Sequence, residues 1–272
     1  MNLDLIRRDR YLAVEMQFRR KTTQRVTRVT KNVHPPIRVA ASQAPEILRS
    51  YYESMFSKLG PRHWWPARSP FEVIVGAILT QNTSWLNVER AVTNLRRERL
   101  LAPGRLLRVQ AARLANLIRS SGYFRQKARK LKSFATFLRT GYGGSLDRMF
   151  RTPTSALRER LLAVHGIGPE TADSILLYAG KHPVFVVDAY TRRVLERHQL
   201  ISRHATYEEI RQLFEKSLAP DHRLYNEYHA LLVGVGKEWC RAKNPRCSEC
   251  PLEPFLPRGA SPQTQELASF SL

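Results

Sequence analysis

The chain has 272 residues and carries 45 Lys and Arg against 23 Asp and Glu, a net charge of +22. That length suits one large or two modest domains with ample core, and the charge calls for a polyanion partner, nucleic acid before any other. No apolar run approaches the ~18 residues of a membrane span. The three cysteines all lie in the last quarter and make no disulfide framework; their spacing is that of a metal site in a reducing compartment.

Residues 1–40 are rich in Arg, Lys and Thr and read as a flexible basic arm that ends at Pro35-Pro36. Arg7, Arg8 and Arg10 are followed by no apolar h-region, so this is not a secretory signal. An Arg-rich organellar targeting peptide stays open, as does a start of translation at Met16. A helix is predicted over Ala44–Leu59, with Ile47, Tyr51, Met55 and Leu59 at helical spacing, and Gly60-Pro61 stops it. Ser69-Pro70-Phe71-Glu72 predicts the start of the next helix, through Val73, Ile74, Ala77 and Ile78. Further helices are predicted over Trp85–Leu95, Ala111–Ser120, Lys127–Leu138, Thr154–Val164, Glu170–Tyr178, Ala189–Arg197, Tyr207–Leu218 and Tyr225–Gly234. Val184–Val187 could pass for a strand, but between two helices a buried connector fits better. From Pro257 the chain reads as a polar tail. The fold class is all-α.

Leu161-x-x-Val164-x-Gly166-Ile167-Gly168-x-x-Thr171-Ala172 is the most informative stretch. Gly166 and Gly168 allow torsions and close approaches that a side chain would block, and Ile167 anchors the turn from inside. The helix beginning near Pro169 aims its N-terminal N–H groups at this hairpin, where a phosphate would gain. Asp188 stands before Ala-Tyr-Thr-Arg-Arg, and two roles are open to it: a helix N-cap, or a carboxylate facing the sugar of a bound strand. Gln81 fits a helix-end amide bonding backbone. Trp64, Trp65 and Trp85 fit plain core packing or the walls of a flat pocket, where aromatic faces attract a cationic base by ~0.5–2 kcal/mol.

GIGPETA, VVDAYTRRV, LTQNT at 79–83 and the cysteine spacing together resemble the helix-hairpin-helix (HhH-GPD) DNA glycosylase superfamily, in its endonuclease III-like group, over about residues 44–256. The resemblance implies two helical domains with a DNA-binding cleft between them. It places a six-helix barrel with the hairpin at 64–181, and a second domain at 41–63 plus 182–256 with a cysteine loop, ahead of the tail at 257–272. It makes Asp188 the catalytic carboxylate. Gln81, Gly166, Ile167, Gly168 and Thr171 are the expected DNA-contacting positions. Bifunctional members carry a lysine two residues after the second glycine, and here that residue is Glu170, which cannot form an imine. A monofunctional glycosylase follows, with little or no lyase activity. Glu170 and Asp188 together favour a cationic guest and raise each other's pKa. His63-Trp64-Trp65-Pro66, Glu170 and QNTSW resemble the endonuclease III-like 3-methyladenine glycosylases, whose base pocket would here be Trp64, Trp65 and Trp85.

The family's four-thiolate loop, C-x6-C-x2-C-x5-C, holds a four-iron four-sulfur cluster. Cys240, Cys247 and Cys250 match it, and the fourth position is Leu256. Three outcomes stay open: a cluster with another fourth ligand, a lost cluster with the loop held by Trp239, Leu252 and Phe255, or a zinc ion on three sulfurs. Lys237, Arg241, Lys243 and Arg246 are expected phosphate contacts. The expected partner is double-stranded DNA with a damaged base, met by a cytoplasmic monomer. The competing functions are an endonuclease III-type enzyme on oxidised pyrimidines using another amine, and a non-catalytic protein that reads distorted duplex.

Overall fold

The computed structural model describes residues 35–257. Twelve α-helices are described: α1 Ala44–Leu59, α2 Pro70–Leu79, α3 Trp85–Arg97, α4 Pro103–Arg108, α5 Ala111–Leu117, α6 Phe124–Tyr142, α7 Leu146–Phe150, α8 Thr154–Leu162, α9 Pro169–Ser174, α10 Ala189–Arg197, α11 Tyr207–Ser217 and α12 His222–Glu238. Among the described residues the only β pairing is one isolated antiparallel bridge, Ile37 to Ile201. The chain is all-α, as its periodicity implies.

Local chemistry sets the helix ends. Ser69 accepts from Glu72 N and Pro70 opens α2. Thr206 and Glu209 form a reciprocal capping box at α11. Gly143, at φ 63°, closes α6. The sequence gives no warning of α4 and α7. Each is a turn or two that buries one apolar side chain, Leu106 or Met149, so neither shows a period. The helix expected over Glu170–Tyr178 begins at Pro169 and widens into a π turn at Ile175–Ala179.

Two apolar cores result. One gathers buried side chains from Phe71 to Val184. The other joins Ala44, Leu48, Tyr51 and Met55 of α1 to Leu177 and to residues between Phe185 and Leu252, including the stacked rings of Phe185 and Phe214. Tyr178 packs against both. The connector Val184–Val187 is buried and runs from one core to the other.

The basic arm was expected to reach residue 40, and here the structure corrects the reading. Ser202 N donates to Pro36 O, and Arg38 N and Val39 N donate to Leu200 O. Half-buried Ile37 and Val39 supply the apolar contact that a solvated arm lacks. Residues 1–34, and the tail from residue 258, lie outside the described residues.

Candidate functional site

The hairpin joins α8 to α9. Gly166 has φ +82° and its missing Cβ is replaced by the methylene stem of Lys130, so a side chain there would collide as well as strain the backbone. Gly168 differs: its backbone is extended, and a Cβ would meet nothing within 4 Å. Nothing in the folded chain itself requires glycine at 168, which leaves the room for something that approaches from outside. Ile167 is buried and anchors the turn. Thr171 is also buried, and its hydroxyl accepts a 2.7 Å bond from Gln81 Nε2. Thr171 thus braces the hairpin from behind. Lys130 Nζ donates to Gln81 Oε1, so the amide is held at both ends.

Asp188 leaves the connector in extended conformation and caps α10, with Oδ1 accepting from Thr191 N at 2.7 Å. Its side chain keeps 14% exposure, so it is not sealed inside. The two roles open to it in sequence are compatible, because one oxygen caps and the other is left. Oδ2 lies 3.7 Å from His229 Nε2 on α12. His229 Nδ1 is 2.6 Å from the Tyr178 hydroxyl, and the Tyr178 ring packs 5.1 Å from that of Trp65. A continuous row therefore runs from the indoles through Tyr178 and His229 to the carboxylate, across the seam of the two cores.

Glu170 opens α9 beside this row. Its carboxylate reaches solvent, yet the surrounding protein and the Asp188 charge push its pKa up to about 7. Burial, then the Asp188 and Glu170 charges, holds the Tyr178 hydroxyl protonated. Burial lowers the His229 pKa against the weaker pull of Asp188.

Trp64, Trp65 and Trp85 do come together, with ring centroids 5.1 to 6.3 Å apart. A base lying between two rings needs about 7–8 Å, two van der Waals separations, so it must stack on an outer face. Asn226 Nδ2 fixes the Trp64 carbonyl at 2.9 Å, and the Lys237 ammonium stands 5.7 Å from the Trp64 ring centre. A cavity of about 250 Å³ also borders Trp65 and Trp85, lined with Glu72, Glu89, Thr93 and Arg96 and by neither seam carboxylate.

The cysteine loop lies elsewhere, around a cavity of about 20 Å³ lined by Cys240, Cys247, Cys250, Arg197, His198, Glu253 and Leu256 among others. That space admits about one water. Arg197 Nη1 donates to Cys240 Sγ at 3.3 Å, and Arg193 and Arg197 donate to the carbonyls of Gly236, Cys240, Arg241 and Ala242. His198 Nδ1 is taken by the Tyr51 hydroxyl. Among the described residues no three His, Cys, Asp or Glu side chains are arranged to hold a metal ion. Three thiols facing a leucine do not fit a four-ligand cluster. Arg246, expected to contact phosphate, is paired with Glu249 and Glu238.

Sequence reasoning passed over Tyr178, His229, Asn226 and Lys130. Each sits within a helix or helical turn, and nothing in local spacing marks it out. The one available sign was the pair of Tyr178 and His229, polar groups at otherwise buried positions.

No described helix is long and apolar enough to cross a membrane. The model of the HhH-GPD superfamily of base excision DNA repair proteins matches residues 75–220. The Methanocaldococcus jannaschii protein MJ1434, provisionally described as a DNA repair glycosylase, is 46% identical over 77% of this chain and 96% of its own length. Endonuclease III of Thermotoga maritima is 32% identical over 66% of this chain and 79% of its own. Among solved structures, the H. pylori 3-methyladenine DNA glycosylase MagIII, bound to 1,N6-ethenoadenine, superposes with a TM-score of 0.60 at 28% identity, covering 72% of this chain and 97% of that one. With the hairpin, the seam carboxylate and these matches in agreement, the chain belongs to the HhH-GPD superfamily of base excision DNA repair proteins.

Proposed function

We propose that this DNA glycosylase hydrolyses the N-glycosidic bond of an alkylated purine of the 3-methyladenine type in double-stranded DNA and leaves the abasic strand uncut. The observation that carries this reading is the seam itself: two carboxylates, Asp188 and Glu170, share one electrostatic neighbourhood beside three indoles, and the hairpin position two residues past Gly168 offers no amine.

Each group has a task. Breaking the bond builds positive charge on the deoxyribose, and the ionised Asp188 stabilises it and can guide a water. A purine methylated at N3 or N7 is already cationic. Its base is flipped out at a cost of a few kcal/mol, stacks on an outer tryptophan face and is drawn by Glu170. The hairpin N–H groups, approached over the open space at Gly168, take the strand's phosphate. The cysteine loop serves as a structural clasp held by Arg193 and Arg197, without a complete cluster.

One observation favours a second reading. Lys237 places an amine near Trp64, and such an amine could form an imine with the sugar, as in an endonuclease III-type lyase acting on oxidised pyrimidines.

Duplexes carrying 3-methyladenine, 7-methylguanine or oxidised thymine separate these. The proposal expects base release from the methylated duplexes, strand breakage only after alkali, and release slowed by about 10²–10³ in Asp188→Asn. Immediate breakage with a borohydride-trapped adduct lost in Lys237→Ala establishes the second reading. Tight binding with no release by either protein establishes a non-catalytic reader of damaged duplex.

A further inference from the structure

One buried polar atom at the seam, His229 Nε2, lacks any hydrogen-bond partner. Buried unsatisfied groups are rare and costly, at about 1–3 kcal/mol each, so they mark places where another state supplies the partner. For His229 that partner is in view. Its Nε2 points to Asp188 Oδ2 across 3.7 Å, too long for a hydrogen bond and too short to be incidental in a residue only 5% exposed.

The tautomer follows from the neighbours. Tyr178 keeps its hydroxyl proton and lies 2.6 Å from His229 Nδ1. With that hydroxyl donating to Nδ1, the single ring proton of the neutral imidazole sits on Nε2, facing an anionic oxygen. The opposite tautomer would set a lone pair against the carboxylate. Asp188 Oδ1 is already fixed by Thr191 N. A second donor at Oδ2 would define the plane of the carboxylate as well as one of its ends.

We propose that His229, oriented by Tyr178, is a positioning residue for base removal: its Nε2–H closes onto Asp188 Oδ2 when bound DNA excludes water from the seam, so that the carboxylate plane is fixed and its charge kept as the sugar becomes cationic. Contacts of this kind are commonly long before substrate binds and shorten in the complex. The inference rests on Asp188 being the catalytic carboxylate.

Side-chain geometry supplies the test. The amide nitrogen of glutamine reaches the place of a histidine Nε2, whereas that of asparagine reaches only Nδ1. Single-turnover release of 3-methyladenine is measured for His229→Gln, His229→Asn, His229→Leu and Tyr178→Phe, with Kd for the same duplex and the melting temperature of each protein. The expected result is a rate within a few-fold of wild type for the glutamine variant. The asparagine and leucine variants should lose about 10–100-fold, the scale of losing an orienting partner, at unchanged Kd. Tyr178→Phe should fall between. Equal rates for His229→Gln and His229→Asn, or full activity in a folded His229→Leu, overturn the inference. If Asp188→Asn keeps its activity, the underlying assignment of the carboxylate has failed instead, whatever the histidine variants do.

Discussion

Lys130 performs two tasks against Gly166 and its neighbourhood: its stem occupies the space where a Gly166 side chain would lie, and its ammonium donates to the Gln81 amide that braces the hairpin. The two hairpin glycines should therefore respond differently to the same substitution. Gly166→Ala meets both a positive φ and the Lys130 stem, and should cost about 1–3 kcal/mol of stability. Gly168→Ala meets open space in an extended backbone, so its melting temperature should stay near wild type while Kd for duplex DNA rises about tenfold or more. Thermal melts set beside DNA titrations decide it. A Gly168→Ala protein that binds normally removes the hairpin from the interface.

Asp188→Asn should leave the fold in place, because asparagine caps a helix as well as aspartate and can still accept from Thr191 N. Base release should fall by about 10²–10³, the scale of losing one electrostatic contact to the transition state. A melt within a degree or two of wild type, read alongside single-turnover release, separates catalysis from folding.

Glu170 gives the reaction a pH limb. Its carboxyl titrates at about 7, so the anion that attracts a cationic base is lost as pH falls through that value. Release of 3-methyladenine should decline below neutrality in wild type, and Glu170→Gln should be uniformly slower with that limb gone. Stability carries the opposite sign. A carboxyl whose pKa is raised by folding favours the native state at pH below its unfolded value near 4.5, and this contribution fades as pH rises through 7. Glu170→Gln should accordingly melt higher than wild type at pH 8, and the gap should shrink towards pH 5.

The link between hairpin and carboxylate passes through a buried ionic cluster. Asp173 of α9 is fully buried and bidentate to Arg158, and it accepts a 2.8 Å bond from the Tyr207 hydroxyl. That same hydroxyl accepts from Val187 N at 3.4 Å, one residue before Asp188, while Glu215 accepts from Phe185 N. Asp173→Ala leaves Arg158 only Glu208 as a carboxylate partner and the Tyr207 hydroxyl without its acceptor, and should cost about 1–3 kcal/mol in urea or thermal unfolding. Tyr207→Phe, which removes one hydroxyl, should cost about 1–2 kcal/mol. If Asp173→Ala unfolds like wild type, the cluster is not what secures the connector.

The cysteine loop makes a further prediction. Protein purified without oxygen should carry well below one cluster per chain by iron analysis and show no cluster absorption in the visible range. Cys247→Ser should leave the melting temperature nearly unchanged, while Arg197→Ala, which frees the carbonyls of Arg241 and Ala242 and the Cys240 sulfur, should lower it. Four irons per chain would show that a fourth ligand is recruited in place of Leu256.

The readable parts of this chain were those set by local chemistry. Ser69-Pro70, the double glycine and the apolar spacing of α1 fix helix ends and faces within a few residues; α1 and α10 lie where they were expected, and so does the buried connector 184–187, read from its place between two helices. The cluster of three tryptophans was legible as composition but not as geometry, because ring separations depend on packing across the two cores. The roles of His229 and Tyr178 were not legible: polar groups at otherwise buried positions were the only sign, and their meaning comes from a distance of 51 positions in sequence closing to 2.6 Å in space. The pinning of residues 36–39 was hidden for the same reason, since its partners lie near residue 201.

Tyr178 packs into both cores at once, so a pivot of one core against the other would displace its ring and the imidazole hydrogen-bonded to it. On the proposed function, the bending and unstacking that expose a base would then fall on the nucleic acid rather than on a hinge between the cores.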